Sequence, residues 1–140
     1  MMQKINFILA LTLLSFMVKA QDVANNSHID MKYTILVLYK IQPSFLQLDR
    51  SERNKVMEKQ VAPIMANFAD KLEIRMFDSE AFHATTSDFL IIECADLSDY
   101  YFFMERLRDT PLFTKPYIQL NDIIIGLEDG FRQFENKQNQ

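Results

Sequence analysis

Tyr33-Thr34-Ile35-Leu36-Val37-Leu38-Tyr39 is apolar at nearly every position, and two later stretches behave the same way: Phe89-Leu90-Ile91-Ile92-Glu93-Cys94 and Ile123-Ile124-Ile125. A strand with one face in water alternates apolar and polar residues, whereas a near-continuous apolar run belongs to a strand covered on both faces. Only two helical segments lie between these runs, enough to cover one face of a small sheet. The other face needs a second cover, and the simplest is another copy of the same chain.

The segments around the runs fill in the order. The first strand is expected over about Lys32 to Ile41, followed by a loop from Gln42 to Leu48 that contains Pro43. Asp49 and Glu52 are spaced as a capping box, so a helix starts there. Met57, Val61, Ile64, Met65 and Phe68 then recur on one helical face, with Pro63 expected to kink the helix because it has no N–H to donate. A second strand, about Leu72 to Ala84, alternates Leu72, Ile74 and Met76 against Glu73 and Arg75, the pattern of an edge strand. Thr85-Thr86-Ser87-Asp88 has turn composition and leads into the run from Phe89. Asp96 or Ser98 can cap a second helix carrying Leu97, Tyr100, Tyr101, Met104 and Leu107, which ends by Pro111. A last strand from about Tyr117 to Leu127 precedes an extension with Phe131 and Phe134. The order β-α-β-β-α-β is the ferredoxin-like split motif, an α+β fold. Four short strands would expose about 600 Å² on the helix-free face, more than monomers usually leave open. Covering it is worth on the order of 15 kcal/mol gross, against association costs of about 4–15 kcal/mol. The balance favours a homodimer forming a dimeric α/β barrel. A monomer whose C-terminal extension folds back over the sheet is the alternative.

With 140 residues, half of them apolar and only two glycines, the chain is one compact domain, residues 31–135, with a polar tail at 136–140 expected to fray. The first twenty residues read as a signal peptide: Lys4 opens an apolar stretch from Ile5 to Val18, and Val18 and Ala20 sit at the −3 and −1 positions of a cleavage site. Residues 21–30 form a polar leader. Cleavage near Ala20 implies export, periplasmic or secreted, with no stable membrane anchor afterwards. An uncleaved anchor and a cytoplasmic chain starting at Met31 are the competing readings. Loss of Lys4 and Lys19 takes the net charge from −4 to −6. An acidic chain without a basic stripe argues against nucleic-acid partners. Cys94 is the only cysteine, so no intrachain disulfide exists, and its apolar run marks it as a small buried hydrophobe.

The chain has no Gly-rich phosphate loop, GxSxG elbow or HExxH. With His28 and His83 as its only histidines, it cannot build a multi-histidine metal or haem site alone. No cofactor and no metal centre is expected, and a metal would need carboxylates or symmetry-related chains. The candidate catalytic groups are Arg75, Asp78, Glu80, His83 and Glu93. Glu93 interrupts a buried run, so it must be paired, protonated or near water. A turn at residues 85–88 would set Glu80 opposite Glu93, a carboxylate pair suited to acid–base work. The competing reading is a structural ion pair of Glu93 with Arg75 or Lys40. Tyr39, Tyr100 and Tyr101 are the candidate ligand-binding residues, since a tyrosine hydroxyl can reach a cavity from an otherwise apolar wall.

At Tyr33-Thr34-Ile35-Leu36-Val37-Leu38, Phe77-Asp78-Ser79-Glu80-Ala81-Phe82, Ser87-Asp88, Asp96-Leu97-Ser98-Asp99-Tyr100-Tyr101, Leu107-Arg108-Asp109-Thr110-Pro111-Leu112 and Leu127-Glu128-Asp129-Gly130-Phe131, the chain resembles the darcynin family, small proteins of uncharacterised function. The resemblance covers nearly everything from Met31 to Glu135, implies a ferredoxin-like domain and carries over no catalytic residue. A typical member begins at the position of Met31, so the leader is a departure. The function expected first is binding of a small, largely apolar molecule between sheet and helices. A cofactor-independent oxygenase or isomerase, by analogy with other dimeric α/β barrels, and a structural or interaction protein are the alternatives.

Overall fold

The computed structural model describes residues 32–139, so the expected signal peptide and leader lie outside the described residues. Strand β1 (Tyr33–Ile41) is followed by a single helical turn, α1 (Pro43–Leu46), and by α2 (Arg50–Val56), which passes through a π-helical turn (Met57–Val61) into α3 (Ala62–Asn67). Then come β2 (Glu73–Asp78), β3 (Asp88–Cys94), α4 (Leu97–Arg108), the short α5 (Pro111–Thr114), β4 (Ile118–Leu127) and α6 (Gly130–Gln138). The four strands form one antiparallel sheet in the order β2-β3-β1-β4. This is the ferredoxin-like arrangement, with β1 and β3 central and β2 and β4 at the edges.

Alternation along β1 separates the two faces of the sheet. Ile35 and Val37 on β1 join Ile92 and Cys94 on β3, and with Val61, Phe103, Met104 and Leu107 from the helices they form the buried core. Phe103 is almost fully buried and meets Phe68 edge to face at 5.7 Å. Leu36 and Leu38, with Phe89 and Ile91 opposite them, point the other way and take no part in that core. Phe77 and Ile124, at the two edges of the same face, are 37% and 53% exposed. The helices therefore cover one face, and the apolar residues of the other have no cover among the described residues. Because β4 is an edge strand, its run Ile123-Ile124-Ile125 is exposed on both sides.

Local chemistry explains where the elements start and stop. Asp49 caps α2 in a full capping box, its carboxylate accepting from the Glu52 N–H at 2.8 Å while Glu52 accepts from the Asp49 N–H at 3.0 Å. Asp96 caps α4 by accepting from the Ser98 N–H. Pro63 does not simply kink the first helix. The turn before it widens, and the Ala62 N–H bonds back to the Met57 carbonyl five residues away, which accommodates a proline that would clash with the carbonyl four residues back. The loop expected at residues 42–48 contains α1, with Pro43 at its first helical position. The last helix reaches Gln138, into the stretch expected to fray.

The hairpin differs most from expectation. Strand β2 ends at Asp78 rather than near Ala84, and residues 79–87 form a pinned loop. The Ser79 N–H donates to the Ser87 carbonyl at 2.7 Å, the Ser87 N–H to the Tyr39 carbonyl at 3.1 Å, and the Ile41 N–H to Ser87 Oγ at 2.8 Å. A bulge in β4 completes the clamp. Leu38 pairs with Asp122 and Tyr39 with Leu120, leaving Asn121 as the extra residue. Its side-chain amide donates to the Thr85 carbonyl at 2.9 Å and to Thr86 Oγ1 at 3.0 Å, a typical use of a bulge to re-aim a side chain.

Ile35 is fully buried on the central strand. Ile35→Ala should therefore cost about 2–5 kcal/mol, read as a lowered urea midpoint with little change in slope.

Candidate functional site

Between the helices and the covered face of the sheet lies a cavity of about 120 Å³. Val61, Met65, Phe103, Leu107 and Leu112 form much of its wall, and Met57 and Met76, both exposed, stand at its opening. The widened turn supplies both Met57 and Val61. The wall is almost wholly apolar, and Tyr39 is the one lining residue whose side chain carries a polar group. Burial, reinforced by the nearby Asp88 and Asp78 carboxylates, pushes the Tyr39 hydroxyl up to about 12. It keeps its proton at neutral pH and can donate a hydrogen bond.

Ile41 lines both this cavity and a neighbouring recess that contains Asp78, Glu80, Ser87 and Asp88. Asp78 lies directly opposite Asp88 in the hairpin. Oxygens of Asp78, Glu80 and Asp88 come within 4.8 Å of one another, the one such acidic group among the described residues close enough to ligate a single cation. Burial raises the Asp88 carboxyl, a hydrogen bond from Ser87 Oγ at 2.5 Å opposes the rise, and the Glu80 and Asp78 charges add to it. Asp88 escaped the sequence reading because Thr-Thr-Ser-Asp has turn composition; the signal available was its place immediately before a buried strand.

Glu93 is not part of that group. The register sets it opposite Glu73, not Glu80, because β2 stops six residues earlier than expected. It pairs instead with Arg75 at 2.8 Å, diagonally across the strands, and with Lys32, which also reaches Glu73 at 3.5 Å. The Lys32 hydrogen bond foremost, with Arg75 adding, holds the Glu93 carboxyl below its usual range. The ion-pair reading therefore stands, with Lys32 in the place expected for Lys40. His83 lies in the pinned loop, where Nδ1 accepts from the Thr86 N–H at 3.0 Å. Arg75, Glu93 and His83 are thus separate from the Asp78–Glu80–Asp88 group. Of the three tyrosines, only Tyr39 lines the cavity. Tyr100 is buried with its hydroxyl unpartnered, and Tyr101 is exposed on the outer side of α4 against Phe102.

The family model described as "Darcynin, domain of unknown function" matches residues 17–139. The chain belongs to the darcynin family. Darcynin from Chromobacterium violaceum is 41% identical over 73 residues, which are 52% of this chain and 91% of that protein. Darcynin 1 from Acinetobacter baumannii is 32% identical over 91 residues, 65% of this chain and all of that protein. Among solved structures, this darcynin is similar to chlorite dismutase from Candidatus Nitrospira defluvii, described in complex with imidazole (TM-score 0.62, 12% identity, 69% of this chain and 39% of that one). It is also similar to a heme-binding protein from Thermus thermophilus (TM-score 0.65, 12% identity, 75% and 44%). The chain spans about two fifths of those structures, and at that identity the likeness is one of fold.

The darcynin cavity does not suit haem. Among the described residues no histidine borders it and no cation lines it to meet propionates. Its one tyrosine is held protonated beside carboxylates rather than as the tyrosinate that ligates iron.

The two perturbed carboxylates have opposite linkage. Asp88 binds its proton more tightly folded than unfolded, so its contribution rises as pH falls from its raised folded value towards 3.8. Glu93 binds its proton less tightly folded, so its contribution is present above 4.5 and lost as pH falls through its lowered value. Asp88→Asn should stabilise the protein near neutral pH, with the gain shrinking in acid. Glu93→Gln should destabilise it near neutral pH, with the loss shrinking in acid. Urea midpoints from neutral pH down to about pH 3 read both signs.

Proposed function

We propose that this darcynin binds a small, largely apolar molecule, of about one ring, in the cavity between sheet and helices, and that it does so as an exported homodimer. The single observation that carries the binding reading is the cavity itself: about 120 Å³ of space with an apolar wall and one tyrosyl donor. An apolar cavity of similar size, about 150 Å³, takes up benzene. The methionines at the opening are unbranched and adaptable, so ligand entry needs only rotamer changes. Tyr39 would orient the ligand through an acceptor atom.

The dimer rests on the uncovered face. Leu36, Leu38, Phe89 and Ile91 form an apolar centre flanked by Phe77 and Ile124, and two such faces packed together close an α/β barrel. Export rests on the leader pattern of Lys4, the Ile5–Val18 stretch and Ala20. Mass measurement of protein from its own host should find a chain starting at Gln21; a chain starting at Met31 would overturn export.

Toluene should raise the melting temperature of the native protein in a concentration-dependent way, as any ligand selective for the folded state does. Met65→Phe, which fills the cavity, should abolish that rise while the variant still melts cooperatively. A rise that survives in the variant would place the ligand elsewhere. Sedimentation should give twice the chain mass, and Ile91→Lys at the centre of the open face should give the monomer with an unchanged far-ultraviolet spectrum. A monomeric wild type would overturn the dimer.

A further inference from the structure

Four of the chain's eight methionines lie among the described residues, and three of them, Met57, Met65 and Met76, border the cavity between sheet and helices. We propose that Met57 and Met76 form a reversible oxidation site, at which a peroxide converts the thioethers to sulfoxides and weakens the cavity's hold on its ligand. The switch presupposes that the cavity binds as proposed above.

The fold exposes these two sulfurs and shelters the others. Met57 opens the π-helical turn and is 39% exposed, while Met76 lies on the edge strand β2 and is 61% exposed. Leu90 pairs with Val37 on one side and with Met76 on the other, so Met76 shares the helix-covered face with the core residue Val37. No strand flanks β2 on its outer side among the described residues, and Met76 meets both the cavity and water. Met65, on α3, is half-buried, and Met104 is buried in the core at 6% exposure. The homodimer proposed above covers the opposite face of the sheet and would leave Met57 and Met76 open to solutes. Cys94 is buried, and burial pushes its thiol up, so little thiolate is there to compete for the oxidant.

In the reaction a thioether sulfur gives an electron pair to one oxygen of hydrogen peroxide. The S–O bond forms as the O–O bond breaks, and the sulfur is oxidised by two electrons. The other oxygen takes the proton of the transferred one and leaves as water. The side chain thereby becomes polar and chiral, and enzymes that reduce sulfoxides restore it. Tyr39 aside, the side chains bordering the cavity are apolar. A sulfoxide oxygen turned inward would therefore lose its water as the ligand closes over it, with little to replace that water. Turned outward, the same oxygen draws the side chain off the mouth and removes apolar wall. Either way the cavity loses affinity, whereas the unbranched thioethers of the reduced state adapt to the ligand.

Limited hydrogen peroxide treatment of the full chain is the test, followed by peptide mass mapping and by toluene titration under methyl NMR. Met76 and Met57 should each gain one oxygen before Met65 does, with Met104 and Cys94 unmodified. Toluene should then bind about tenfold more weakly, the effect of one polar oxygen left without a partner. Methionine sulfoxide reductases of both stereospecificities should restore the affinity. The double variant Met57→Leu/Met76→Leu, whatever its own affinity, should give the same value before and after peroxide. Oxidation of Met104 or Cys94 as fast as Met57 and Met76, an unchanged affinity with both sulfurs oxidised, or an equal loss in the double variant would each overturn the switch and leave the cavity reading intact. No toluene binding by the untreated protein would overturn both.

Discussion

The structure hangs on β1, which pairs along nearly its whole length with β3 on one side and β4 on the other. The backbone groups of a strand with two partners are spent within the sheet, and here the side chains on both of its faces are apolar and call for burial. Ile35 and Val37 meet that demand by packing under the helices. Leu36 and Leu38 meet it only halfway, and much of the chemistry described above follows from that imbalance. The cavity exists because the helix layer, interrupted by a widened turn, does not pack flush on the covered face. The other face carries no helix cover among the described residues.

Polar groups are distributed to match. At one end of the β2–β3 hairpin, Glu73 and Glu93 face each other and two cations, Lys32 and Arg75, neutralise them. At the other end Asp78 faces Asp88 with no ion pair to either among the described residues; burial and the neighbouring carboxylates raise the Asp88 carboxyl, and the Ser87 hydroxyl, donating to it, opposes the rise. Like charges directly across a ladder oppose pairing. The first end is therefore a tie and the second a place where strands part, which is where the nine-residue loop leaves the sheet.

Much of this was legible in the sequence. The apolar runs, the two capping aspartates and the alternation of β2 point to the strand order and the edge position of β2, because each rests on local periodicity or local capping. The Glu93–Arg75 pair was legible for the same reason: a carboxylate in a buried run needs a cation near it. What stayed hidden depended on register. The spacing of residues 79–87 shows turn composition but not where pairing stops, so Glu80 was set opposite Glu93 instead of beside Asp78 and Asp88. Tyr100 and Tyr101 differ by one residue on a helix, yet one is interior and the other faces solvent, a distinction set by how α4 sits on the sheet. The β4 bulge at Asn121 has no sequence mark at all, since asparagine is ordinary both in a loop and at a strand end.

The two edges of the sheet are also unequal. Strand β2 carries Glu73, Arg75 and Asp78, charges that an incoming strand would have to bury, and it is short. Strand β4 is the longest strand of the sheet, and after Asp122 it runs through Ile123-Ile124-Ile125-Gly126-Leu127 without a charge. An uncharged, β-branched edge is a template for strand addition from another chain. Of the two borders of this domain, β4 is therefore the one from which fibrous aggregation would grow.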